Sequence, residues 1–288
     1  MFTILRESKI VIEYGMYPLL HLDTIKDFSA EQTFKENSFG RKTLHSNKMF
    51  LKHKIIRAKN TVSGSMTLHL TRTGSELLLF EIAGWSHQGR TLMYPDSYSV
   101  RPEVFNIYVI HPNGSYKLSD CAITNIDMSL NRTFVGELTV GFDSTNMDRI
   151  EYPTFDYATK VQGNHLIPSY ISSSFGMNNP SGSNHITSAG MSFSRELTYL
   201  NSETIHNSSS LALSNKCTIT DMNFNLTVQS YNTNIVMDTC DQINIGQSNI
   251  YIQMNNSQII KRDSIGEVVI STYDITPTHK TTSITLQY

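Results

Sequence analysis

The chain has 288 residues, a formal net charge of −2, 17% charged residues and 39% hydrophobic residues. A dedicated nucleic-acid binder is usually basic overall, and a fully disordered chain is poorer in apolar and aromatic residues, so both classes are disfavoured. No run of about 18 apolar residues is present, so no membrane-spanning helix is predicted. The segment Met1–Ile10 carries three charged residues and no apolar run, so we do not expect it to be a signal peptide.

The first half of the chain shows the two-residue alternation of half-buried β-strands. The clearest case is Ser65–Thr71, where Met and Leu at every second position face one way. A short helix is predicted for Glu76–Ala83, with Ser75 as its N-cap and Gly84 as its stop, and Gly89–Pro102 is predicted to be a loop. The other predicted strands of this half are Phe2–Glu13, Leu22–Phe34, Phe105–Ile110, Ile126–Leu130 and Phe134–Phe142.

The segment Lys35–Lys59 differs from its surroundings because it is strongly basic. It contains eight Lys and Arg residues and a single acid, Glu36, together with the turn signal Phe39-Gly40. We predict a long, exposed loop or hairpin. A solvated charged face, a phosphate-binding loop and a contact with a partner subunit all fit this composition. Phosphate binding would weaken steeply with salt for any DNA sequence, which separates it from the other two.

The second half of the chain is more polar. Asp143–Thr159 is predicted to connect two units, and Ser169–Ser192, rich in Ser, Asn and Gly, is predicted to be a flexible loop. From Phe193 onward the pattern of the first half returns. Thr233–Asp238 occupies the place of the first helix but lacks most of its apolar face.

Four short segments occur twice in the same order, each with the period of a strand. Their unequal offsets of 165, 156, 143 and 146 residues are what loops of different length would produce. The pairs, given by first residue, are Phe28 and Phe193, Met66 and Met222, Asn106 and Asn249, and Leu138 and Ile284. We therefore predict two similar β-domains, residues 1–150 and 151–288, and a role in assembly more than in chemistry.

Catalytic and metal-binding signatures are missing from the sequence. It has no HExxH, P-loop, GxSxG or GxGxxG motif, and its ten histidines are scattered. Asp238 and Asp241 flank Cys240, but a solvated turn explains them better than an acid–base pair. The other cysteines, Cys121 and Cys217, complete an odd number without CxxC spacing, so we expect reduced, half-buried thiols. We predict no enzyme, no cofactor and no metal.

In the order of its elements the chain resembles the duplicated tail-tube proteins of long-tailed bacteriophages of the T-five type. The resemblance rests on the opening Leu5-Arg6-x-x-Lys9-Ile10-x-Ile12, the long loop at Arg41–Phe50, a short helix after the third strand, and the hairpin that contains Phe105–Ile110 and Ser119–Thr124. It is clearest over residues 1–142 and looser over the second unit.

The resemblance implies a mostly β fold, with sandwich- or barrel-type domains that carry a short helix each. Their strands would join edge to edge and close into a ring-shaped barrel on oligomerisation. Three copies would supply six units, giving a homotrimer with near six-fold symmetry. Stacked rings would form the tail tube of a virion, assembled in the host cytoplasm, with a neutral or acidic channel through which viral DNA passes without specific binding.

The resemblance also makes the 35–59 loop the contact between successive rings. Its implied assembly residues are Phe39, Arg41, Lys42, His45, Lys48 and Phe50. Other expected partners are the tape-measure, tail-terminator and baseplate or tail-tip proteins, and no membrane insertion is expected.

Two alternatives stay open. A tube-like protein of the baseplate or tail tip, present in a few copies, would share all these features. A two-domain β-sandwich that binds glycans within a tail fibre would instead need aromatic residues on exposed loops. The only tryptophan, Trp85, falls at the end of the predicted helix, which disfavours the glycan-binding alternative.

Overall fold

Strands make up most of the computed structural model, which describes residues 8–15, 20–43, 46–72, 75–95, 101–111, 114–151, 159–161, 169, 171–175, 186–199, 217–231, 239–248, 250–278 and 284–287. The mostly β prediction is confirmed. The helical residues in these ranges are a 3-10 turn at Ser75–Leu77 and helix α1 at Leu78–Ile82. No helix in the same ranges is long and apolar enough to cross a membrane.

The strands in chain order are β1 (Lys9–Glu13), β2 (Leu20–Leu22), β3 (Ile25–Thr43), β4 (Ser46–His69), β5 (Ser86–Gln88), β6 (Thr91–Met93), β7 (Phe105–Ile110), β8 (Ser115–Asn131), β9 (Glu137–Ser144), β10 (Asn146–Ile150), β11 (Thr159–Val161), β12 (Ile171–Phe175), β13 (Ile186–Tyr199), β14 (Cys217–Tyr231), β15 (Thr239–Gln247), β16 (Ile250–Ile265), β17 (Val269–Pro277) and β18 (Ile284–Gln287).

Eight strands form one antiparallel sheet, which we call the long sheet. Their order across it is β3-β4-β9-β8-β13-β14-β17-β16. The first four strands come from the first half of the chain and the last four from the second half. The two halves meet where β8 pairs with β13. Within the described residues β3 and β16 do not pair with each other, so the sheet of a single chain is open.

Two smaller sheets complete the fold, and the long strands β8 and β16 pass from them into the long sheet. The first small sheet has the order β11-β2-β1-β7-β8-β10, and only its β11–β2 pair is parallel. The second has the order β12-β15-β16-β18-β6-β5. Strand β6 comes from the first half of the chain, and its Leu92 stands opposite Leu286. That pairing ties the two halves together at a second place.

The strand arrangement of the first half is repeated in the second half. In the long sheet, β3, β4, β9 and β8 have the same order and directions as β13, β14, β17 and β16. In the small sheets, β1, β7, β8 and β10 correspond in the same way to β12, β15, β16 and β18. A repeated pairing order is independent of residue identity, so it supports duplication more strongly than short sequence matches do.

The bends of the two long strands are built in a similar way. Asp120 in β8 and Asn256 in β16 have φ angles of 50° and 54°, in the left-handed region that Asp and Asn tolerate better than most residues. Thr145 follows β9, and both its backbone N and its Oγ1 donate to the Ser119 carbonyl at 3.1 Å. Thr278 follows β17, and its backbone N and Oγ1 donate at 3.1 and 2.7 Å to the carbonyl of the left-handed residue Asn256 itself, where Thr145 bonds to the residue before the left-handed Asp120. These bends give the two repeats a common landmark.

The core lies on one face of the long sheet. One row of paired residues crosses all eight strands and is apolar throughout. All but the first of its residues are buried, at 4% exposure or less. The row is Ile25, Leu68, Leu138, Met128, Met191, Leu226, Ile275 and Ile259. Alternation between buried and polar positions fixes the register, because a slip of one residue would expose the whole row.

Helix α1 covers this apolar face near the joint between the halves. Trp85, which follows the helix, is 2% exposed and meets the rings of Phe80, Tyr94 and Phe193 edge-on, with centroids 5.0, 5.5 and 5.9 Å away. Phe193 lies on β13, so this aromatic cluster joins the first half to the second. A buried tryptophan in a core cluster is not the exposed aromatic that glycan binding would need.

Several predicted loops contain strands. The predicted loop Gly89–Pro102 contains β6, and the predicted connection Asp143–Thr159 contains β10. The predicted loop Ser169–Ser192 contains β12 and the start of β13. These strands are short or rich in Ser, Asn and Gly, and their pairing with neighbours outweighs their low strand propensity.

Smaller corrections concern the ends of elements. The N-cap of α1 is Leu77 and makes no side-chain hydrogen bond, so the prediction of Ser75 as N-cap was wrong. The prediction of Gly84 as the helix stop is confirmed by its φ of 93° just past the helix. Phe134 is 71% exposed and precedes β9, where a strand was predicted. The predicted second helix, Thr233–Asp238, lies outside the described residues.

Candidate functional site

The second face of the long sheet is polar across the joint between the halves. One row of paired residues runs through six strands as Asp27, Thr67, Thr139, Asp127, Ser192 and Asn225. Small polar side chains at every second position of a strand place hydroxyl, amide and carboxylate groups on one surface. We call this surface the polar face.

The side chains of the polar face bond to one another across the strands. Ser192 Oγ donates to Asp127 Oδ1 at 2.6 Å, which bridges β13 and β8 at the joint. Asn125 Nδ2 donates to the other oxygen of the same carboxylate at 2.7 Å. Thr67 and Thr139 share a hydrogen bond of 3.2 Å between β4 and β9. This network of cross-strand hydrogen bonds makes the surface hydrophilic.

The described charges of the polar face are mostly negative. Both cations are paired with acids, Lys26 Nζ with Glu137 Oε1 at 2.5 Å and Arg262 Nη2 with Asp274 Oδ2 at 3.0 Å. The acids are Asp27, Glu31, Asp127, Glu137, Asp143, Glu196, Asp221 and Asp274, and the bases are Lys26 and Arg262. An excess of carboxylates repels a polyanion such as DNA.

Asp143, a carboxylate of this face, has a raised pKa. Partial burial of the carboxyl raises the pKa, and the hydrogen bond from Ser63 Oγ, at 3.1 Å, lowers it in part. A neutralised Asp143 would still leave the face acidic, because the other carboxylates outnumber the two paired bases.

The long sheet ends in two strands with an unpaired side. Strand β3 pairs only with β4 along Ile25–Gln32, and β16 beyond Gln258 pairs only with β17, among the described residues. Because the eight strands alternate in direction, these two edges run antiparallel to each other. They can therefore pair with each other between copies, as β8 and β13 do within one chain.

The basic segment 35–59 forms a hairpin, as predicted. Strands β3 and β4 continue together past the last pairing of β4 with β9 at Val62, and the last described pair between them is Thr43 with Ser46. The ten residues from Phe34 to Thr43 extend the pair by about 30 Å beyond the sheet. We call this hairpin the basic arm.

The predicted assembly residues fall on this arm. Phe39 pairs with His53 and Arg41 with Phe50, while Lys42 and Lys48 lie on β3 and β4. His45 lies outside the described residues. The hairpin brings Arg41 and Phe50 next to each other, and the prediction that these residues mediate assembly stays a prediction.

The residues of the acidic polar face were not predicted from the sequence. Its signal was present as Ser, Thr, Asn and Asp at alternate positions of β8, β9 and β13. The sequence does not reveal which strands are neighbours, since the polar face of the long sheet depends on the β8–β13 pairing between the two halves.

No enzymatic arrangement emerges from the described residues. Within them, no group of three or more His, Cys, Asp or Glu side chains comes together to hold a metal ion. Cys121, Cys217 and Cys240 are free and buried, where half-buried thiols were expected. Burial raises the pKa of the Cys121 thiol to about 12, which makes it a poor nucleophile.

Comparison with known proteins shows the family of the chain. The model of the bacteriophage baseplate tube protein family matches residues 1–288. Baseplate tube protein p140 of Escherichia phage T5 is 24% identical over an alignment that covers 96% of this chain and 94% of that protein. These matches support a structural, non-enzymatic tube-type protein of a phage tail, and not the major tail tube specifically. The chain belongs to the bacteriophage baseplate tube protein family.

Proposed function

We propose that three copies of this chain close the long sheet into a ring in the baseplate, with the polar face lining a channel for DNA. The observation that carries the proposal is the sheet itself, which is apolar on one face and acidic on the other, and whose two antiparallel edges have no strand partner among the described residues. The apolar face is already covered by the small sheets and α1, so the polar face is the one left to face a water-filled channel.

The dimensions of such a ring suit a channel. Three copies would contribute 24 strands, which at about 4.8 Å spacing and about 40° tilt enclose a backbone circle about 48 Å across. Barrels of about 16 to 18 strands already leave an aqueous channel, so a 24-stranded barrel has room for its inward side chains and an open channel between them. The acid excess keeps DNA from adhering to the wall while it passes.

The basic arm fits a contact between neighbouring rings. It extends about 30 Å past the sheet and carries eight Lys and Arg residues against Glu36. A ring above or below presents carboxylates, and charge complementarity would hold the rings in register. Tape-measure, tail-terminator and other baseplate or tail-tip proteins remain proposed partners at the ends of the tube.

The decisive experiment is the assembly state of the purified full-length chain. We expect particles of three times the 32.6 kDa chain mass by light scattering, and rings with a central hole by electron microscopy. A protein that stays monomeric at every concentration, with no rings, would overturn the proposal.

A charge change on the polar face tests the channel. Glu196 and Asp221 face each other there, so replacing both by Lys should make phage particles release DNA more slowly without altering their shape. The control replaces the exposed Glu103 and Glu151, which lie off this face, by Lys. Equal DNA release in both variants would contradict a channel lined by the polar face.

A further inference from the structure

The joint between the two halves of one chain shows how two copies would join. Strands β8 and β13 pair within the chain, and by the repeated strand order β16 corresponds to β8 and β3 to β13. The free edges of the chain are therefore the counterparts of two strands whose pairing is known. This inference rests on the proposed ring and specifies its contact.

The bends fix which residues correspond. We align Asp120 of β8 with Asn256 of β16, and Thr145 after β9 with Thr278 after β17. This alignment makes the paired residues Ile123 and Phe142 equivalent to the paired residues Ile259 and Ile275. The two landmarks lie on different strands and give the same superposition. One extra residue of β8, at Thr124, is absent from β16 and shifts the rest of the alignment by one position.

Following the strand pairing across the sheet extends this alignment to β3, the other edge strand. In the first half Phe142 pairs with Gly64, which pairs with Ala30. In the second half the corresponding residue, Ile275, pairs with Leu226, which pairs with Met191. Strand β13 therefore maps onto β3 with Met191 over Ala30, and Ser192 falls on Glu31.

We propose that β16 of one copy pairs antiparallel with β3 of a second copy in the register that sets Arg262 opposite Glu31. The internal joint pairs Asp127 with Ser192, and these two positions map onto Arg262 and Glu31. Within the chain the pair is a hydrogen bond of 2.6 Å between a hydroxyl and a carboxylate. Between copies it becomes an ion pair of opposite charges directly across two strands, which is a favourable cross-strand arrangement.

The surroundings of both side chains suit this pairing. Arg262 is 72% exposed and reaches Asp274 with one nitrogen, Nη2, while the guanidinium has five N–H donors. Glu31 is exposed on the polar face of β3. The register also places the 84% exposed Ile265 against Phe28 on the apolar side. An edge that covers an exposed isoleucine and pairs two opposite charges favours one register over its neighbours.

Charge reversal tests the pair. Arg262→Glu and Glu31→Arg should each raise the protein concentration needed for rings by about tenfold or more, because like charges would face each other at every joint. The double variant, Arg262→Glu with Glu31→Arg, should restore ring formation to near the wild-type concentration. Arg90→Glu, in the exposed turn between β5 and β6, is the matched control and should assemble normally.

A disulfide tests the register directly. Ser264 and Ser29 stand opposite each other in the proposed pairing, so Ser264→Cys with Ser29→Cys should cross-link copies within rings on oxidation. Ser264→Cys with Asp27→Cys is the control, because a shift of two residues separates the Cα atoms by about 7–8 Å, beyond the usual disulfide reach. The three native cysteines are buried and should not interfere.

The outcomes separate this inference from the proposed function. Rings that form in the wild type, without the cross-link of the test pair and without rescue by the double charge variant, would overturn this register and leave the ring intact. A wild-type chain that forms no rings would overturn both proposals. Cross-linking of the test pair but not of the control, with charge rescue, is the expected result.

Discussion

The aromatic cluster at the joint between the halves makes a testable contribution to stability. Phe193 is fully buried, with its ring 5.9 Å from Trp85 and 6.0 Å from Tyr94, both edge-on. It pairs with Ile126 on β8 and Phe224 on β14. Truncation of a buried phenylalanine costs about 3–5 kcal/mol, and the lost aromatic contacts account for about 1 kcal/mol of that. We expect Phe193→Ala to lower the free energy of unfolding by about 4 kcal/mol.

The chain contains its own reporter for this measurement. Trp85 is the only tryptophan and touches the mutated site, so its fluorescence follows the local unfolding in urea. With a slope of about 3 kcal/mol per molar urea, the midpoint should fall by about 1.3 M. Phe134→Ala, at a side chain that is 71% exposed, is the control and should shift the midpoint little. A loss below about 1 kcal/mol for Phe193→Ala would refute the packing argument.

Three further predictions concern titratable groups. Hydrogen bonds from Asn106 and Tyr108 lower the pKa of Glu13 in the folded protein. The stabilisation that Glu13 provides is therefore present above its unfolded pKa of 4.5 and is lost as the pH falls through its folded pKa. In thermal melts, Glu13→Gln should destabilise the protein by about 1 kcal/mol at pH 7 and not at pH 3. Burial raises the pKa of Asp143, so its ionisation destabilises the folded protein, by an amount that is absent below pH 3.8 and grows as the pH rises. Asp143→Asn should therefore not lower the melting temperature at pH 7, and any increase in melting temperature over the wild type should shrink at pH 4. The buried Cys121 thiol, with a pKa of about 12, should resist iodoacetamide at pH 8 until the protein is denatured; rapid labelling of the native chain, seen by mass spectrometry, would contradict its burial.

The strands that the sequence predicted well are those with large apolar residues at alternate positions. Ser65–Thr71 and Phe105–Ile110 are examples, and both are strands as expected, apart from the last two residues of the first. Strand β12, Ile-Ser-Ser-Ser-Phe, was predicted to be loop because serine favours turns. Its strand conformation depends on pairing with β15, which no local pattern reveals.

The repeated segments predicted two similar halves, but they do not align residue for residue when the strand order of the two halves is compared. Phe28 and Phe193 do lie on corresponding strands, β3 and β13, yet the bends align Phe28 with Ala189. Leu138 and Ile284 lie on β9 and β18, which do not correspond, since the counterpart of β9 is β17. Strands share a two-residue period whatever their position, so resemblance between two strands does not establish that they are equivalent.

The residues of the acidic polar face could not be predicted from the sequence for a related reason. Each contributing strand carries only a few acids, and the net charge of −2 hides the contrast between the basic arm and the rest of the chain. The contrast emerges only when eight strands are laid side by side in their order.

The β8–β13 pairing lies within one polypeptide, and this alters how a closed ring would be reached. Covalent linkage keeps the two halves at a high effective concentration, so their joint forms without the loss of translational freedom that separate subunits incur. A ring of six repeats then needs three encounters between molecules in place of six. Linkage of the two halves would in this way turn half of an association problem into a folding problem, and the inner joint could rely on a neutral hydroxyl where the proposed outer joint would use charge.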